Sequence, residues 1–98
     1  MFDKFIEKIL TNDDKFIIFY SDWCRYSTDA IKLLKSQQQS FKGYKIDKIR
    51  GGLDRLIASF TNNKDQIHFN TTHGTRPIVF YKGKFVGGLT ELTALLDK

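Results

Sequence analysis

The run "KFIIFY", residues 15 to 20, constrains this chain more than any other stretch. Its five consecutive apolar residues, Phe16 to Tyr20, are all aromatic or β-branched and carry no polar alternation. A segment this short and this uniformly apolar reads as a strand covered on both faces, so layers must lie above and below it. The next stretch of chain supplies one of them. Ser27, Ala30, Ile31 and Leu34 share one helical stripe, which predicts a helix running to about Ser36 before the polar "KSQQQS". "YKID" then alternates as a second strand. Strand, helix, strand in this order implies a parallel βαβ unit with a right-handed crossover.

The remaining elements fill in around that unit. Phe2, Phe5, Ile6, Ile9 and Leu10 predict an amphipathic helix over residues 2 to 11, closed by the "TNDDK" turn. Leu53, Leu56, Ile57 and Phe60 predict a third helix, which dissolves into the polar stretch "TNNKDQIHFNTTHGT". After the sole proline, Pro77, "IVFYKGKFVGG" reads as a hairpin turning at Lys82-Gly83, and Leu92, Leu95 and Leu96 predict a last helix with Thr90 as N-cap. No repeat, linker or low-complexity segment interrupts residues 1–98, so one domain is expected. The predicted class is α/β, with the first two strands parallel and the hairpin adding antiparallel neighbours.

Composition supports such a core and narrows the partners. With 41% apolar residues and nine Phe among 98 residues, the chain can order itself without a disulfide or a metal. No apolar run approaches the roughly 20 residues of a membrane span. "MFDKFIEKIL" mixes charges into its apolar residues, unlike a secretory signal, and the single cysteine fits a reducing compartment. A cytoplasmic, monomeric protein is expected. The net charge of +5 is spread along the chain: ten basic against seven acidic residues before position 51, six against four after it. Nucleic acid would favour a clustered stripe, whereas a small anionic substrate is served equally well by this distribution.

In an open α/β sheet, sites lie beyond the carboxyl end of the central strands, and Cys24 falls there, at or just before the first turn of the second helix. Free backbone N–H groups and the helix dipole favour its thiolate. Arg25 adds a neighbouring cation, and the Ser27 hydroxyl, one turn along, is expected to donate to the sulfur. Asp22 opposes them by like charge. Cys24 is flanked by polar residues at an element junction, which argues for a reactive thiol over a packing residue.

"FIIFYSDWCRYS" and, some fifty residues on, "THGTRPIVFYKGKFVGG" together resemble the glutaredoxins of the thioredoxin superfamily. The shared features are a C-x-x-S loop after the first strand, T-x-P before the third and G-G after the fourth. The resemblance runs from about Lys15 to Leu96. It implies a thioredoxin fold with sheet order 2-1-3-4 and an extra N-terminal helix, and a cis Pro77 facing Cys24. It further implies glutathione as co-substrate and no metal. The glutathione contacts would fall on Tyr26, on Thr75, Arg76 and Pro77, and on Gly87, Gly88, Leu89 and Thr90. The implied partners are glutathione and glutathionylated or disulfide-bearing proteins, with no nucleic acid and no membrane. The candidate catalytic residues are Cys24, Ser27 and Arg25.

The chain also departs from the family pattern. Ser21 stands three residues before the cysteine, where many members carry Lys or Arg, and Arg76 precedes the proline in place of an apolar residue, a position from which it could restore that charge. Thr90 replaces a common acidic residue, and Trp23 is more thioredoxin-like. With Ser27 in place of a second sulfur, Cys24 acts alone, and the chemistry implied is deglutathionylation rather than dithiol reduction. Should Ser27 substitute for a natural cysteine, the natural protein would be dithiol. Two other functions stand beside this one: a monothiol glutaredoxin holding an iron–sulfur cluster, and a thioredoxin-fold binding module without turnover. A zinc site from Cys24, His68 and His73 lacks ligand spacing, so both histidines read as ordinary loop residues.

Overall fold

The computed structural model describes residues 4–12 and 14–97. Phe16–Tyr20 forms strand β1 with its first four residues buried, as a strand sandwiched between layers requires. It is preceded by helix α1 (Lys4–Thr11) and followed by helix α2 (Arg25–Ser36) and strand β2 (Phe41–Lys45). A 3-10 turn (Ile46–Lys48) leads to helix α3 (Gly52–Asn62), the short helix α4 (Lys64–Ile67), the hairpin β3 (Ile78–Tyr81) and β4 (Lys84–Gly87), and helix α5 (Leu89–Leu96). The sheet order is β2-β1-β3-β4, with β2 parallel to β1 and β3 antiparallel to it, which is the thioredoxin-fold arrangement.

Alternation along β1 divides the interior in two. Ile17 and Phe19 face α1, α3 and α4, where Ile6, Ile9, Phe60 and Phe80 complete an aromatic-rich core. Phe60 meets Phe80 edge-on at 5.0 Å and Phe19 at 5.3 Å, the arrangement that the ring quadrupole favours. Phe16 and Ile18 face the other side, against Ala30 and Leu34 of α2 and Leu92 of α5. The predicted stripe of α2 is therefore the face it buries.

Three boundaries differ from expectation. The second strand is Phe41–Lys45 rather than "YKID", because Ile46 leaves the ladder to bury its side chain in the 3-10 turn. The polar stretch after α3 contains α4, which buries Ile67 and delivers the buried Phe69. The N-cap of α5 is Gly88, not Thr90, which lies inside the first turn; the Glu91 carboxylate reaches back to accept the Gly88 N–H at 2.8 Å. Gly87 holds φ +136, a conformation open to glycine, and a Cβ there would lie 2.5 Å from Glu91 Oε1. The part of the first expected helix before Lys4 lies outside the described residues. Among the described residues no helix is long and apolar enough to cross a membrane.

Candidate active site

Cys24 is the N-cap of α2, so its side chain stands at the helix start, where first-turn N–H groups lack carbonyl partners. The loop holding it is tied at both ends: the Cys24 N–H donates to the Ser21 carbonyl at 3.2 Å, and the Cys24 carbonyl accepts from Thr28 N–H at 3.0 Å. The thiol is half-buried, while Trp23 and Tyr26 on either side are 67% and 65% exposed. Two large aromatics are thus displayed beside one sulfur.

Across from Cys24 runs the loop before β3, with a cis Arg76-Pro77 bond. A groove of about 280 Å³ lies between loop and thiol, lined by Trp23, Cys24, Tyr26, Leu53 and residues 74–76. A second groove of about 270 Å³ continues from it, sharing Tyr26, Thr75 and Arg76 and ending at Gly88, Leu89, Thr90 and Glu91. The two grooves lead from the sulfur to the first-turn amides of α5.

Ser21 joins these loops. It is fully buried, and its N–H, carbonyl and hydroxyl all have partners. Its N–H donates to Ser27 Oγ at 3.3 Å and its carbonyl accepts from Cys24. Its hydroxyl accepts from Arg76 Nε–H at 2.7 Å and donates to Asp47 Oδ1 at 3.4 Å. Asp47 also accepts from the Trp23 indole N–H at 2.9 Å, and the Arg76 guanidinium lies over the Trp23 ring, 4.6 Å from its centroid. Arg76 therefore occupies the space beside the loop position where the family pattern often places a cation. Stacking and one hydrogen bond through Nε hold it there, so its terminal nitrogens are left for other partners.

Of the predicted site residues, Cys24, Tyr26, Thr75, Arg76, Gly88, Leu89 and Thr90 line the two grooves. Pro77 and Gly87 are buried beneath them. Two of the predicted residues have partners other than the sulfur. The Ser27 hydroxyl does not serve the sulfur: it is fully buried and accepts from Ser21 N–H, so it braces the loop. The Arg25 guanidinium turns along the helix to Asp29 at 3.7 Å, with its side chain 91% exposed, because the i,i+4 carboxylate lies on its own face. Asp22, expected to oppose the thiolate, is paired with Lys45 at 3.0 Å. That bond and the Asp22 charge hold the Lys45 ammonium above the ordinary lysine value.

Three residues of the site escaped the sequence. Asp47 sits in the 3-10 turn after β2 with no local signal of its partners 24 and 26 positions away. Glu91 lines the second groove beside Thr90. His73 lines it as well, donating from Nε2 to the Pro77 carbonyl at 3.1 Å and standing edge-on to Phe85, so it braces the proline loop rather than idling in it. Among the described residues, no three His, Cys, Asp or Glu side chains cluster closely enough to hold a metal ion.

A half-buried cysteine capping the helix that follows the central strand, faced by a cis-proline loop in a thioredoxin fold, defines a thiol–disulfide oxidoreductase. No family model matches the sequence. A protein of Acanthamoeba polyphaga mimivirus named "Probable glutaredoxin" is 38% identical over 93 residues, which cover 94% of this chain and 88% of the relative. The dithiolic glutaredoxin 2-C-Grx1 of Trypanosoma brucei brucei superposes with a TM-score of 0.72 at 28% identity, covering 92% of this chain and 82% of that one. The buckwheat glutaredoxin–glutathione complex superposes at 0.71 over 90% of this chain and 71% of that one; at 23% identity it shows the shared fold. This chain belongs to the glutaredoxin family.

Proposed function

We propose that this glutaredoxin is glutathione-dependent and reduces protein–glutathione mixed disulfides through Cys24 alone. One observation carries the reading: two adjoining grooves that share Tyr26, Thr75 and Arg76 lie between Cys24 and the start of α5, and their lining offers groups suited to a γ-glutamyl tripeptide. The sulfur-bearing middle of the tripeptide would lie against Tyr26 and the Thr75–Arg76 backbone. Arg76 would meet the glycyl carboxylate. The amides of Leu89 and Thr90 would meet the γ-glutamyl carboxylate, and Glu91 its ammonium. The buckwheat glutaredoxin–glutathione complex, which shares the fold, supports this assignment by analogy.

In the proposed cycle the Cys24 thiolate attacks the glutathione sulfur of the substrate. The mixed disulfide breaks, the client cysteine leaves as a thiolate and takes a proton, and a Cys24–glutathione disulfide forms. A second glutathione thiolate attacks the glutathione sulfur of that disulfide, releasing oxidised glutathione and the Cys24 thiolate. Ser27 has no sulfur with which to divert the intermediate.

The test is turnover of a small glutathionylated disulfide with glutathione and glutathione reductase, beside insulin reduction. Activity in the first assay and none in the second is expected, with complete loss in Cys24→Ser. The reverse pattern would refute glutathione specificity, activity surviving in Cys24→Ser would refute the thiol's role, and a brown, cluster-bearing dimer without turnover would favour the iron–sulfur reading.

A further inference from the structure

We propose that a lysine-lined groove beside the active loop seats an acidic segment of the client protein, and so selects clients whose reactive cysteine is flanked by Asp or Glu. The groove, about 430 Å³, lies at the open edge of β2, with Lys4, Lys8, Lys45 and Lys48 around the rings of Phe5 and Tyr44. Two elements supply its cations, α1 and the end of β2 with its 3-10 turn, so the cluster exists only in the folded chain. The Lys4 ammonium lies over the Phe5 ring at 5.4 Å, which holds it at the groove.

The nearby acids neutralise one of its four lysines and leave Lys4, Lys8 and Lys48. Asp22 pairs with Lys45, and Asp47 turns toward Ser21 and Trp23. Among the described residues no ion pair joins Lys4, Lys8 or Lys48 to a carboxylate, and Glu7 between the first two is exposed on α1. Charge complementarity therefore names an acidic occupant.

Position links this groove to the thiol. Tyr20 and Lys45, the last residues of the parallel strands β1 and β2, both line it, and Cys24 lies beyond the same carboxyl ends. The 3.0 Å Lys45–Asp22 bond connects its rim to the active loop two residues before the sulfur. The groove and the thiol therefore lie at the same end of the sheet. Seating an acidic segment there extends the proposed deglutathionylation by naming the client, but its binding arm stands apart from catalysis.

The experiment uses two labelled peptides of equal length, one with Asp and Glu beside a central serine and one neutral, titrated by fluorescence anisotropy at low salt. The acidic peptide should bind more tightly. The triple variant Lys4→Gln, Lys8→Gln, Lys48→Gln should weaken it about fivefold, and added salt should do the same. In the glutathionylated cysteine forms of these peptides, kcat/KM should show the same preference, while the small glutathionylated disulfide is turned over equally by both proteins. Equal binding of the two peptides would overturn the proposal and leave the lysines as guards of the sheet edge. Tighter binding of a single-stranded RNA oligomer or of anionic vesicles would also overturn it. Absence of small-disulfide turnover with the acidic preference intact would instead refute the deglutathionylation reading alone.

Discussion

At the scale of single residues, the proposed function divides its labour between a sulfur and a cation carried 52 positions apart, Cys24 and Arg76. If Arg76 meets a substrate carboxylate, Arg76→Ala should raise KM for a glutathionylated substrate about tenfold while kcat changes little, because uniform binding is lost. Arg76→Lys should recover only part of this. An ammonium has neither the planar stack on Trp23 nor a second nitrogen to hold Ser21 while another meets the substrate. Steady-state kinetics of the two variants checks both statements. Ser27 makes the complementary case. Ser27→Ala removes the acceptor of a buried N–H, and the cost should be about 1–3 kcal/mol of stability, read from the urea midpoint. Cys24 was legible at this scale because its neighbours Trp23 and Arg25 leave it outside any apolar stripe, at the point where a buried strand hands over to a helix. The roles of Ser21 and Asp47 were not, since a serine's partners are set by which distant loop closes on it.

At the scale of elements, Glu91 caps the start of α5, and the proposed function gives it a second duty toward glutathione. Glu91→Gln keeps an acceptor for the Gly88 N–H but loses the charge, so it should raise KM for glutathione with little change in stability. Glu91→Ala should raise KM and also cost about 1 kcal/mol, measured by thermal unfolding. Strand β1, helix α2 and the hairpin were readable because each has a strong period or a turn dipeptide; at Lys82-Gly83 both residues take positive φ, as such a turn requires. Helix α4 was hidden because four residues are too few to display a period and only Ile67 points inward. The second strand starts earlier than its alternation suggests for a related reason. "FKGYK" lies at an edge with Lys42 and Gly43 exposed, so its apolar signal is weak, while Ile46 and Asp47 look strand-like yet turn away into the core and the site.

At the scale of the whole molecule, the sheet separates two cores that should respond alike to truncation. Leu34→Ala on the α2 side and Phe60→Ala on the α3 side are both fully buried deletions, and each should cost about 2–5 kcal/mol by chemical denaturation. Any contribution of the Asp22–Lys45 pair to stability should be constant as pH varies around neutrality. The Lys45 value is raised on folding, so any contribution is present below the unfolded lysine value and fades only as pH rises through the folded one, in the strongly alkaline range. The bond between Arg76 and Ser21 spans 55 positions and closes the molecule across its two halves. It also makes the effects of substitution at the two positions depend on each other. A chain with the common family cation at position 21 would have to bury it beside Arg76, where two like charges would contend for one space, so Ser21→Lys alone should be far more damaging than Ser21→Lys with Arg76→Val. The two substitutions should therefore be strongly non-additive in a double-mutant cycle of stability, a coupling that passes through one buried hydroxyl.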